Sequence, residues 1–168
     1  MADYVAPLER KGTLVAVVIA VAVTLIYIGI GSGVVDTTTP LWRSGPAIVT
    51  TLAVASLVLF EVVGRRIVRK GQPAGSPTEL AWDDALRSQR LRGLLTAPLT
   101  LSAYGGFSAL MELSTGFSAA GKPQLSLLFS IPTVALGCAV FVVAIVTLIT
   151  RPQRFFLRRL WPNAEAVA

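Results

Sequence analysis

Residues able to do chemistry are scarce in this chain, and the scarcity is informative. Its 168 residues contain no histidine and a single cysteine, Cys138. An intrachain disulfide is impossible, so cysteine usage says nothing about redox compartment. A Cys/His zinc site, a Ser-His or Cys-His catalytic pair and bis-histidine haem ligation are excluded on the same ground. What remains are carboxylates bordering apolar segments. An ionisable group inside a membrane span is a functional candidate by default, and Glu61 is the clearest case. It stands four residues before Arg65, the favourable order for a pair on one helix face, so a structural ion pair is the expected role. Asp36 and Glu112 fall at the ends of apolar segments, where water is in reach. Cys138, in a Gly-Cys-Ala context inside the fourth apolar stretch, reads as a buried structural thiol, since reactive cysteines need an electropositive, partly exposed setting.

Small and hydroxyl residues carry the remaining signal. Gly29 and Gly33 form a GxxxG pair, and Pro98, Ser102, Gly106 and Ala109 recur at helical spacing on one face. Small residues let helix backbones approach closely, which drives association in lipid. Both sets are expected to pack helices within the molecule or against a partner subunit. No catalytic constellation accompanies them, so neither enzymatic activity, a cofactor, a metal nor a nucleic-acid partner is expected.

The elements that must position these residues follow from charge distribution. The chain is 54% hydrophobic and 14% charged, against about 25% charged in soluble domains. The charges crowd into short segments separated by apolar stretches. A helix needs about 20 apolar residues to cross the hydrocarbon core. Four stretches qualify, at about 13–35, 47–64, 93–112 and 127–150, and the fold class is an all-α integral membrane protein of one membrane domain. The first stretch exceeds the roughly 7–15 residues of a signal-peptide core, so it is kept as a span. The third is the most polar and is expected to pack centrally or to line a narrow polar cavity.

Orientation follows from the basic residues. Of the 15 Lys and Arg, 13 lie in the N-terminal tail, the central loop 65–92 and the C-terminal tail 151–168; the opposite loops hold Arg43 and Lys122. Basic loops stay in the cytoplasm, so both termini are expected there, in a multi-pass protein of the plasma membrane. Arginine outnumbers lysine 12 to 3, which fits a GC-rich bacterial genome. Trp42 and Trp161 suit an interfacial aromatic belt.

Two cytosolic elements stand out. Ser76-Pro77-Thr78-Glu79 is a capping box with proline at the first helical position, predicting a short helix to about Arg92 that either breaks at Gly93 or runs on into the third span. Its acidic residues come early and its arginines late, as the helix dipole favours. Leu80, Trp82, Leu86 and Leu91 are placed to rest on the membrane surface. In the tail, Phe156, Leu157, Leu160 and Trp161 make one stripe and Arg151, Arg154 and Arg158 another. Such a helix lies in the headgroup plane, and with Arg159 it is expected to meet anionic lipid or a partner.

Each half also reads as a hairpin between basic flanks, with Tyr27-Ile28-Gly29 in one and Tyr104-Gly105 in the other, a faint suggestion of an internal repeat. The function expected is a non-catalytic subunit or accessory and scaffold protein of a larger membrane complex. The alternative is a small oligomeric transporter or channel with the third span lining the path.

Overall fold

A computed structural model of the chain describes residues 4–35, 40–71 and 76–150. These form four α-helices, α1 (Pro7–Gly31), α2 (Gly45–Arg69), α3 (Pro77–Ala119) and α4 (Pro123–Thr150), with a 3-10 turn at Leu41–Arg43 before α2. Proline stands at the first or second position of each, where its missing N–H costs nothing and its fixed φ suits the helix. Among the described residues, α1, α2 and α3 are long and apolar enough to cross a membrane, and Pro123–Ala139 of α4 is a shorter apolar run. These are the features of a helical membrane protein.

The helix that starts at Ser76 runs on into the third span instead of breaking at Gly93. α3 runs through 43 residues without interruption. The capping box starts it: the Ser76 N–H donates to Glu79 Oε2 at 2.9 Å, and the Glu79 N–H donates to Ser76 Oγ at 3.4 Å. Gly93 does not break it. One glycine costs a helix about 1 kcal/mol, and the turns on either side are held by Leu91 and Leu95, both in the core. Leu91 therefore lies inside the bundle rather than on a membrane surface, while Trp82 and Leu86 remain outward. α3 ends at a left-handed glycine, Gly121 (φ 71°), with the Lys122 N–H returning to the Phe117 carbonyl at 2.9 Å. That closure turns the chain back into α4.

α3 is the central helix and packs against each of the other three, as its composition suggested. The bundle has an apolar cluster at each end and a narrow waist between them. At one end Val5, Phe60, Leu91 and Leu95 come together. At the other, Tyr27, Leu41, Ala109, Leu113 and Phe117 do so, with Phe129 of α4 stacked on Phe117 at 5.4 Å between ring centroids. The waist is built of small side chains: Ala20 and Thr24 on α1, Thr50 and Ala53 on α2, Ser102, Gly105 and Gly106 on α3. The two tyrosines that suggested a repeat end up in opposite settings. Tyr27 is fully buried, and Tyr104 is 64% exposed.

Candidate functional site

The arginine-rich end holds a network of charges joining all three long helices. Glu61 pairs with Arg65, as its spacing implied, but weakly, at 3.4 Å. Its stronger partner is Arg10 of α1, with Nη2 at 2.7 Å and Nε at 2.9 Å from Oε1. Arg92 of α3 faces Glu9 of α1 at 3.8 Å. Arg87, paired with Asp83 at 2.8 Å, also reaches across to the end of α2. Its guanidinium donates to the carbonyls of Ile67 (3.3 Å), Lys70 (2.8 Å) and Gly71 (3.4 Å). A helix C-terminus presents unsatisfied carbonyls and the negative end of the helix dipole, so this buried cation caps α2 in trans. The N-terminal segment is tied into the same place. The Tyr4 hydroxyl donates to Asp84 Oδ1 at 2.8 Å, and Ser88 Oγ donates to the Tyr4 carbonyl at 3.2 Å. Burial, reinforced by the bond to the Asp84 carboxylate and by its charge, pushes the Tyr4 phenol up to about 12.

The waist accounts for the small residues on α3. Thr24 and Thr50 share a buried hydrogen bond at 2.8 Å between α1 and α2. Gly105 lies against that pair: a Cβ there would come 2.6 Å from Thr50 Oγ1 and 3.3 Å from the Thr50 nitrogen. Gly106 faces Ala20 and Leu136 at ordinary contact distance, 3.6–3.9 Å. Ser102 and Ala109 are buried on the same side. The Ser102, Gly106 and Ala109 face is thus used for packing within the molecule. Toward the other end the Tyr27 hydroxyl donates to Glu112 Oε2, so Glu112 is engaged between α1 and α3 instead of simply reaching water. Ser114 and Ser126 meet between α3 and α4 at 3.2 Å.

The GxxxG pair behaves differently. α1 ends at Gly31, which leaves Gly33 in the turn beyond, and among the described residues nothing lies within 4 Å of a Cβ built at Gly29 or Gly33. Neither packs inside the bundle; both face outward. Cys138 is likewise exposed on α4 rather than buried in the protein. Trp42 is exposed in the turn before α2, with the Arg43 guanidinium 4.5 Å from its ring centroid.

The outward faces are not alike. Those of α1, α2 and α4 present mainly aliphatic side chains such as Val18, Ile19, Leu25, Val58, Leu59 and Ile131. That of α3 presents Gly93, Ala97, Thr100, Tyr104, Phe107, Met111 and Thr115 at helical spacing. The threonines satisfy their own protons, Thr100 on the carbonyls of Thr96 and Ala97 and Thr115 on those of Met111 and Glu112. Tyr104 has no hydrogen-bond partner among the described residues.

Sequence spacing pointed to Glu61, Arg65, Ser102, Gly106 and Ala109. It missed Arg10, Tyr4, Arg87, Gly105 and Tyr104, because their roles depend on which helices become neighbours. The tail residues Arg151, Arg154, Arg158, Arg159 and Trp161 lie outside the described residues, as does Asp36. Among the described residues no group of three or more Cys, Asp or Glu is arranged to hold a metal ion. No protein-family model, curated protein or solved structure matches the chain.

Proposed function

We infer that this chain is a four-span bacterial plasma-membrane protein with both termini in the cytoplasm, acting as a non-catalytic accessory or scaffold subunit of a larger membrane complex. The observation that carries the reading is the outward face of α3. Tyr104 lies twelve residues from Arg92 and eight from Glu112, about 18 and 12 Å along the axis at 1.5 Å per residue. That is the middle of a hydrocarbon core about 30 Å thick, too deep for a phenol to reach the headgroups. A hydroxyl without an acceptor is costly there. A neighbouring transmembrane helix would supply the acceptor, and Gly93, Ala97 and Thr100 would let it approach. The outward Gly29 face of α1 offers a second contact, and the arginines of the tail a third, to anionic lipid or to the partner.

The test is gentle extraction followed by mass spectrometry of co-purifying proteins, with wild type beside Tyr104→Phe and a chain lacking residues 151–168. Partners recovered with wild type and depleted with either variant support the reading. Recovery of the chain alone, with the same result for all three, counts against it. The small-transporter alternative draws on the same stripe, since copies joined along it would enclose hydroxyls. Reproducible flux from the pure protein in liposomes would favour that reading and displace the first.

A further inference from the structure

The outward face of α2 changes character along its length. Val58 and Val62 are exposed, and the helix then continues into Arg65 and Arg69 on the same side, also exposed. Between these side chains lies an open groove of about 280 Å³, lined by Leu57, Val58, Glu61, Val62 and Arg65. Its floor is apolar and its rim is charged. The carboxylate at the rim is already compensated: Arg10 holds Glu61 Oε1 at 2.7 Å, while Arg65 lies 3.4 Å from the other oxygen with 64% of its side chain exposed. Glu61, Arg10 and Arg65 together carry one net positive charge, and Arg69 adds another one turn farther out. Arg65 and Arg69 are four residues apart, about 6 Å along the axis, a span that one phosphodiester can bridge. Arginine is suited to the task because its planar fork binds phosphate oxygens in pairs.

We propose that this groove is a binding site for an anionic phospholipid, whose headgroup phosphate is held by Arg65 and Arg69 and whose acyl chain lies along Leu57, Val58 and Val62. The order of the surface is the order of the ligand. A lipid standing in the leaflet places its phosphate at the interface and its chain toward the midplane, and α2 presents arginine and then aliphatic side chains in that direction. Free phosphate would use the rim alone and leave the apolar groove without a role. Arg10 has a positioning part: by holding Glu61 it keeps a negative charge from occupying the cations that face the lipid. The proposal rests on the membrane-spanning reading of α2 and is independent of any partner subunit.

The experiment uses the full chain, purified in mild detergent and offered phosphatidylglycerol or phosphatidylcholine in mixed micelles, with bound lipid counted by native mass spectrometry. Phosphatidylglycerol should be retained and phosphatidylcholine not. Arg65→Gln/Arg69→Gln should weaken retention by about thirtyfold, on the usual strength of two basic residues beside an anionic headgroup. Val58→Trp, which fills the groove and leaves every charge in place, should weaken it as well. Arg43→Gln, at the other end of the bundle, should not. Inorganic phosphate should fail to compete at concentrations where phosphatidylglycerol saturates. Equal retention of the two lipids would overturn the proposal, as would undiminished phosphatidylglycerol binding by the double variant or by Val58→Trp, or displacement by inorganic phosphate. Should the double variant lose its helical circular dichroism, Val58→Trp decides the matter. Recovery of the chain in soluble form without detergent would instead sink the membrane reading of α2, and that is scored before any lipid is counted.

Discussion

Gly105→Ala puts the packing at the waist to a quantitative test. A methyl group there would sit 2.6 Å from Thr50 Oγ1 and 3.3 Å from the Thr50 nitrogen, so either Thr50 turns away or α2 and α3 move apart. Thr50 is not free to turn, because its hydroxyl is bonded to Thr24 at 2.8 Å. Overpacking of this kind costs about 1–3 kcal/mol, and losing an interhelical hydroxyl bond in a membrane protein adds about 0.6 kcal/mol. Against this stands the better helix propensity of alanine, about 1 kcal/mol. The net expectation is a destabilisation of about 1–2 kcal/mol. Gly106→Ala, one residue along, meets only contacts of 3.6 Å and longer and should be neutral or stabilising. The assay is reversible unfolding in mixed micelles with rising SDS fraction, followed by circular dichroism. A cycle with Thr50→Ala completes it: with the obstructing hydroxyl gone, most of the cost of alanine at 105 should disappear. If Gly105→Ala proved as stable as Gly106→Ala, or if Thr50→Ala left its cost unchanged, the packing of α2 on α3 described above would be wrong.

Three further outcomes are expected. Arg87→Leu should cost about 1.5–3 kcal/mol in the same unfolding assay, since a charged group hydrogen-bonded to the carbonyls that end α2 is lost; Arg87→Lys should recover only part, having one ammonium in place of a fork. Tyr4, held at about 12 against about 10 in an unfolded chain, contributes stability that is fully present below pH 10 and is lost as pH rises through 12. The stability difference between wild type and Tyr4→Phe should therefore shrink across that window, and a constant difference would contradict the bond to Asp84. Glu61→Gln should change stability by less than about 1 kcal/mol, because the Arg10 and Arg65 partners are solvent-facing; a larger loss in unfolding would show a less exposed pair.

How much of this was legible beforehand depended on the range of the interaction. The capping box at Ser76 and Glu79, the proline that follows Ser76 and the Glu61–Arg65 pair are local, and local chemistry is written in consecutive residues. The central place of α3 was legible too, since its hydroxyls and glycines are poorly matched to lipid. Whether α3 breaks at Gly93 or runs through it was left open, because that is decided by the burial of Leu91 and Leu95 against other elements. Likewise nothing in the neighbourhood of Arg87 announces that it will cap α2, and nothing near Arg10 names Glu61 as its partner. Gly29 and Gly33 show a different limit: their spacing left open whether they pack inside the molecule or against a partner, and only the end of α1 between them and their outward face exclude the first. Tyr104 drew notice only as part of a repeat, and that it has no acceptor among the described residues emerges only once the helices are assembled.

The uninterrupted length of α3 has a mechanical meaning. Its 43 residues make a rod of about 64 Å at 1.5 Å per residue, roughly twice the hydrocarbon thickness. A rod pivoting near its middle works as a lever, and a tilt of about 10° carries each end about 6 Å. Its interior proline, Pro98, lacks the N–H that would bond the preceding turn and is the natural place for such a rod to flex. That residue is buried in the bundle, so the joint is clamped and the arms on either side move together. No loop interrupts the path from Trp82 to Ala119, next to the turn at Gly121.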